Sequence, residues 1–246
     1  MSTLPLLLGL SASILATSFL SGLFGMAGGM ILMGILLLLF PVPEAMVLHA
    51  VTQMASNSWR AWLWRHAIDA RIAVLYGAGG LLAAALFAIV SIVPDKATVL
   101  ILLGAMPFVA GLLPRHLAPS VARRGGGIVC GFVCTVLQLL AGVSGPVLDV
   151  FFQNAGMDRR RIVATKATTQ TFGHGLKLAY FGGLAGAGLA DPWLLPLAVA
   201  LAVTGTTLSR RLLDGMDEQA FQRWSRRLIA ATGLAYMGQG VWRMFA

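Results

Sequence analysis

Long uncharged apolar runs alternate along the chain with short basic or proline-containing breaks. The runs cover residues 4–40, 72–94, 97–114, 125–148 and 192–209, with a shorter apolar helix at 228–242. A helix needs about 20 residues to cross a bilayer, so most of these runs predict membrane spans. The first run is different. Its 37 residues would make a rod of about 55 Å, too long for a hydrocarbon core of about 30 Å. The chain must break inside it, and Gly25-Met26-Ala27-Gly28-Gly29 marks the place. Met30 to Phe40 then remain as a half-length helix before Pro41 and Pro43 stop it.

Shifting the chain by 117 positions superposes its two halves at polar landmarks: Gly25 falls on Gly142, Gly28 on Gly145 and Gln53 on Gln170. The same shift brings His49 onto Lys166, Asn57 onto His174 and Arg60 onto Lys177. This pattern predicts an internal duplication, with repeats at residues 1–117 and 118–246 that together make one integral membrane unit.

Composition excludes a water-soluble globule. Of 246 residues 58 % are hydrophobic and 11 % charged, and the mean hydropathy is +0.82. Lys and Arg outnumber Asp and Glu by 18 to 9, but in so apolar a chain basic residues flank spans, so their positions indicate topology rather than nucleic acid. Arg60, Arg65 and Arg71 follow the polar helix of the first half, whereas the matching region of the second half carries one Lys. The second half instead carries Arg159, Arg160 and Arg161, then Arg210, Arg211, Arg223, Arg226 and Arg227. Together with Arg115, Arg123 and Arg124 in the linker, these clusters become cytoplasmic along one path. Each half is a re-entrant broken-helix hairpin followed by three transmembrane helices, the halves are inverted, and both termini lie outside. The fold class expected is therefore an all-α polytopic membrane protein of two inverted repeats. Cys130 and Cys134, four apart in an apolar helix, read as packing residues.

Inverted repeats with broken helices are a transporter design, because half-helix N-termini near the midplane offer unpaired N–H groups to an anion. The candidate anion-binding turns are Gly25, Gly28 and Gly29 in the first half and Gly142, Ser144 and Gly145 in the second. Pro146 suits a first helical turn, where its missing N–H costs nothing. Beside these turns run two polar stripes, His49, Gln53, Asn57 and Arg60 on one helix and Lys166, Gln170, His174 and Lys177 on the other. Steps of four, four and three keep each set on one helix face. Thr52, Ser56, Thr165 and Thr169 widen them into hydrogen-bonding walls. A charged Lys at a helix centre costs about 2.5–3.5 kcal/mol on insertion scales, so Lys166 is the first candidate for the substrate anion, with Gln53, Asn57, Thr169, Gln170 and His174 beside it. Lys166 is also near enough to Arg159–Arg161 to snorkel, and Lys177 and Arg60 read equally as path-lining or as marking opposite surfaces. His49, His174 and Asp149 are the candidate proton handlers. Asp149 equally fits a salt bridge to Lys166. Trp59, Trp62 and Trp64 read as an interfacial belt.

At these residues the chain resembles the sulfite exporter TauE/SafE family of membrane permeases. The resemblance runs through GLFGMAGGMILMGIL (22–36), GVSGPVLDVFF (142–152) and ATKATTQTFGHGLKLAYFGG (164–183). It implies a bacterial inner-membrane protein that moves small anions, commonly sulfur oxyanions or sulfonates. The expected function is a secondary transporter of small anions, sulfite or small organosulfonates first among them. It works by alternating access at a midplane site while the halves rock. An anion channel is one rival, distinguished by unitary conductance and flux that does not saturate. A rhomboid-like serine hydrolase is another, since Gly142-Val143-Ser144-Gly145 reads as GxSG and His174 follows on a later helix, but Ala27 and Asn57 occupy the matching positions of the first half. No GxxxxGKS/T motif is present, so a carrier here is expected to be secondary or to rely on a further partner; no cofactor is expected. The partners expected are the small anion and membrane lipids, with no nucleic acid; a homo-oligomer is compatible with this reading.

Overall fold

The computed structural model describes residues 4–24, 26–114, 116–184, 193–213 and 218–245. Among these the secondary structure is helical, in the order α1 (Leu4–Phe24), α2 (Met26–Leu39), α3 (Val42–Leu63), α4 (Ala70–Val90), α5 (Lys96–Leu112), α6 (Gly126–Ala141), α7 (Gly145–Phe152), α8 (Arg159–Leu178), α9 (Leu194–Leu213) and α10 (Glu218–Phe245). A 3-10 turn at Arg65–Ala67 follows α3, and a π-helical segment at Ala179–Leu184 extends α8. Leu4–Leu23 and Ala70–Val90 are long and apolar enough to cross a membrane, and Ala27–Leu39, Lys96–Leu112, Gly126–Ala141 and Leu194–Ser209 are shorter apolar helices.

The break in the first run falls earlier than the sequence predicts. α2 begins at Met26 and has 14 residues, so Gly28 and Gly29 lie inside its first turn rather than ahead of it. Gly25 is outside the described residues. Close packing explains the difference: a Cβ at Gly28 would collide with the Thr17 carbonyl and Ser21 of α1, so glycine here lets two helices touch. The second break matches its prediction, with Gly142 capping α6 at φ 80° and α7 starting at Gly145. α10 is 28 residues long, almost twice the apolar window 228–242, because its first turns are charged and escape a hydropathy reading.

The 117-residue offset can be followed on the helices by setting α1 to α5 against α6 to α10 in chain order. Val42 of α3 and Arg159 of α8 are 117 apart, while Ala70 of α4 and Leu194 of α9 are 124 apart, so the register holds through the polar helices and then opens. The main packing pairs exchange under this correspondence: α1 packs on α9 and α6 on α4, while α3 pairs with α8 and α5 with α10. α3 and α8 run antiparallel, because His49 meets Lys177, Ser58 meets Thr171 and the residue Asp69 just beyond α3 meets Thr165 and Arg161. α5 and α10 are also antiparallel, with Gly104 against Gly233 and Gly240 against Ala97 and Ile101. In contrast, α1 and α9 run parallel, Gly22 facing Ser209 and Ser18 facing Gly205. So do α4 and α6, Gly127 facing Leu75 and Gly131 facing Tyr76.

The interior and exterior are reversed relative to a soluble protein. Large apolar side chains such as Val74, Ile89, Val109 and Leu112 face outward at 63–81 % exposure, whereas Ser18, His49, Gln53, Thr135, Gln138 and Lys177 are buried. An apolar exterior around a polar interior is the arrangement a bilayer selects. Helix α2, too short to cross, is enclosed by protein through Met30, Leu32, Met33, Leu36 and Leu37, as the free backbone ends of a half-helix at membrane depth require.

Candidate functional site

The polar stripes and the two breaks converge in this interior. His49 on α3 and Lys177 on α8 are fully buried. The Lys177 ammonium donates to the Gly142 carbonyl and to His49 Nδ1, both at 2.8 Å. An ammonium is a donor only, so His49 Nδ1 accepts, and its Nε2–H donates to the Gly29 carbonyl at 2.9 Å. This hydrogen-bonded chain joins the break of one half to the break of the other. The two turns also approach directly, since a Cβ at Gly142 would lie 2.7 Å from Met33 Sδ on α2. The His174 ring stands 5.4 Å from that of His49. Lys177 therefore neither snorkels nor marks a surface.

Lys166, the residue expected to hold the anion, is ion-paired to Asp149 on α7. Their side chains are 24 % and 41 % exposed, so the pair sits at the rim of the interior. Arg60 is partly buried, donates to the Ser21 carbonyl at 3.2 Å and lies within Coulombic reach of Lys166. The two cations thus stand on one side of the cluster and Lys177 with His49 on the other.

The interior also holds buried polar atoms without a protein partner: Ser18 and Ser21 Oγ, Gln53 Nε2, Trp59 Nε1, Tyr76 OH, Thr135 Oγ1, Gln138 Oε1, Ser144 Oγ and His174 Nδ1. Such groups are rare in folded proteins and call for a reason. Gln53 presses its amide against the first turn of α2, where a Cβ at Gly29 would lie 3.2 Å from Gln53 Oε1. Ser144 holds the N-cap position of α7, yet its hydroxyl caps nothing. Gln138 Nε2 donates to Gln170 Oε1 at 3.2 Å, and the Asn57 amide bonds back to the Gln53 carbonyl at 2.9 Å. Thr169 is turned to the carbonyl of Lys166 in its own helix at 2.9 Å, and Gly145 is buried at the start of α7. Gln53, Ser144 and His174 thus present free groups to the cluster, while Asn57, Thr169 and Gln170 are engaged with backbone or neighbouring amide. Ser144 Oγ and His174 Nδ1 each lack a partner, so they do not form the nucleophile–base pair of a serine hydrolase.

Ser18, Ser21, Tyr76, Thr135 and Gln138 were not expected from the sequence stripes. The duplication could have found four of them, since Ser18 falls on Thr135 and Ser21 on Gln138 at the same offset of 117.

The basic clusters gather at one end of the molecule. Arg161 pairs with Asp69 at 3.0 Å and the Arg160 guanidinium stands 5.6 Å above the Trp64 ring. Ser120 of the linker donates to the Asn154 carbonyl at 3.0 Å, and Val121 N–H to the Phe151 carbonyl at 3.1 Å. The start of α6 and the end of α7 therefore lie side by side, next to Arg123 and Arg124. Trp59 and Trp62 stack at 5.2 Å, with Arg65 over Trp62, at the same end.

Comparison with known families returns one match: the model of the sulfite exporter TauE/SafE family fits residues 10–236, spanning both breaks and both polar helices. The chain belongs to the TauE/SafE family. That family is one of membrane-integral transporters, and the helical, inside-out build of the described residues is consistent with it. No curated protein and no solved structure matches it.

Proposed function

We propose that this TauE/SafE protein is a secondary transporter of small anions, sulfite and small sulfonates first among them, operating by alternating access. The carrying observation is the Lys177–His49 chain, which holds the Gly29 and Gly142 breaks at one buried locus. Around it Ser21 and Gln53 keep neutral hydrogen-bond donors without partners, and the Tyr76, Thr135 and Ser144 hydroxyls stand within reach of one another. Hydroxyl and amide donors suit the oxygens of an oxyanion, and Lys166 and Arg60 supply positive charge at the rim. The reading is supported by chain direction. α3 and α8 correspond in the duplication and run antiparallel, so the axis relating them is perpendicular to both helices, the relation of an inverted repeat. The directions of the other three main pairs agree with that axis.

With the positive-inside rule, the end carrying Arg65, Arg71, Arg123, Arg124 and Arg159–Arg161 faces the cytoplasm of a bacterial inner membrane, and both termini face outward. The repeats span residues 1–117 and 118–246. The partners are the anion and lipid, and no cofactor takes part.

Thermal-shift screening of the purified protein against sulfite, sulfate, thiosulfate, sulfonates and carboxylates identifies the ligand, since a molecule that binds only the folded state raises its melting temperature. In reconstituted vesicles Lys166→Ala lowers anion affinity more than Arg123→Ala. Equal losses for the two overturn the site, and unitary conductance with unsaturable flux overturns the carrier.

A further inference from the structure

Lys177 carries a positive charge into the protein centre without a counter-ion. It is fully buried, and the groups that meet its ammonium are an imidazole and a carbonyl rather than a carboxylate. The elements packed on α8 supply few titratable groups. α3 offers His49, with Glu44 about 7.5 Å before it along the helix and Arg60 about three turns further on; α4 offers Tyr76 and, at its start, Arg71; the 3-10 turn offers Arg65 and His66 at the far end of α8; α6 offers the Cys130–Cys134 pair, Sγ to Sγ 3.9 Å; α7 offers Asp149, which Lys166 holds. Tyr180, in the π segment, turns its hydroxyl to the Ile92 carbonyl at 2.8 Å. Only His49 and the Gly142 carbonyl bond the ammonium.

A permanent cation for a bound anion would be met better by arginine, which never loses its proton, whereas a buried lysine readily does. The surroundings also contain a place for that proton. His174 precedes Lys177 by three residues on α8, on the same face, and its Nδ1 is buried and unpartnered.

We propose that Lys177, with His49 and His174, is the proton-carrying site of this transporter, and that it moves one proton with the anion. This rests on the anion-carrier reading above. In the transfer step an Nζ–H bond of Lys177 breaks along its 2.8 Å hydrogen bond, its electron pair stays on nitrogen, and the proton bonds to Nδ1 of neutral His49, whose ring stands 5.4 Å from that of His174. The imidazolium so formed passes a proton to water on the open side. While Lys177 is charged, its two bonds are charge-assisted, about twice as strong as neutral ones. Loss of the proton therefore weakens the tie between the two breaks, and a nearby anion favours the charged form that closes it.

The test uses full-length protein in vesicles with labelled sulfite and labelled methanesulfonate. Two activities are measured: exchange of one anion pool against another at equal pH, and accumulation driven by a proton gradient. In Lys177→Gln and in Lys177→Arg, which keeps charge and donors but holds its proton, the ratio of accumulation to exchange falls about tenfold or more. Gradient-driven accumulation by Lys177→Arg at the wild-type ratio overturns the proposal while leaving the carrier intact. So does loss of exchange in step with accumulation in both folded variants, which makes Lys177 an anion ligand or a structural tie. Wild-type protein that exchanges neither anion refutes the carrier reading instead.

Discussion

Asp149 occupies the charge that a substrate anion would otherwise take. It pairs with Lys166 at the rim of the interior, the two side chains 24 % and 41 % exposed for Lys166 and Asp149 respectively. An ion pair open to solvent to this degree is worth about 0.5–1 kcal/mol rather than the larger figure of a dry one. If Lys166 binds the anion as proposed, the incoming anion must break that pair before Lys166 can turn to it. Replacing Asp149 by Asn keeps the shape and removes the competitor, so anion affinity rises by about two- to fivefold, the equivalent of that energy. Lys166→Ala lowers affinity, and the double variant Asp149→Asn with Lys166→Ala gains nothing over Lys166→Ala alone. Calorimetric titration with sulfite, on protein in nanodiscs, measures all four corners of the cycle. If Asp149→Asn weakens binding, the carboxylate positions the site instead of masking it, and the assignment of Lys166 as an anion ligand falls.

Gly142 lies at φ 80° with Met33 Sδ 2.7 Å from where a Cβ would stand; Gly142→Ala costs at least about 1–2 kcal/mol and lowers Tm by about 4 °C or more, and Met33→Ala recovers only the steric part. An unchanged Tm for Gly142→Ala refutes the packing described at this turn. Asp95 caps α5 by accepting from the Thr98 N–H at 3.0 Å and the Thr98 hydroxyl at 2.6 Å, which hold its carboxyl below the usual aspartate range. Its contribution of about 1 kcal/mol is present above the unfolded-state value of about 3.9 and disappears as pH falls through the lowered one. The Tm gap between wild type and Asp95→Ala is therefore open at neutral pH and closes in acid, and a gap independent of pH contradicts the cap. Single cysteines at Arg71, Arg124 and Arg160 react with an impermeant maleimide only from the cytoplasmic face, and one at Glu44 only from the other. Labelling of Arg71 and Arg160 positions from opposite faces disproves the topology.

Length against bilayer thickness is enough to expose the break near Gly25, and helical spacing with the 117-residue shift is enough to expose the stripes, because both signals are local or periodic. Burial of one member of a stripe is neither. Lys166 and Lys177 look alike in sequence. Tertiary packing decides that the Gly142 turn and His49 close over Lys177, while Lys166 reaches Asp149 at the rim. Ser18, Ser21 and Thr135 escape notice because an isolated hydroxyl in an apolar helix can bond its own backbone, as Ser13 and Thr17 do to carbonyls four residues back at 2.7 and 2.6 Å. Gly28 and Gly29 read as loop because glycine marks both turns and close helix contacts, and only the nearness of α1 at Gly28 and of Gln53 on α3 at Gly29 selects the second.

The pairing of α1 with α9 and of α6 with α4 interlocks the copies like clasped fingers. If the protein is the carrier proposed above, any swinging body draws helices from both halves of the chain, and the moving seam cuts across the sequence order instead of following the connector around residue 120.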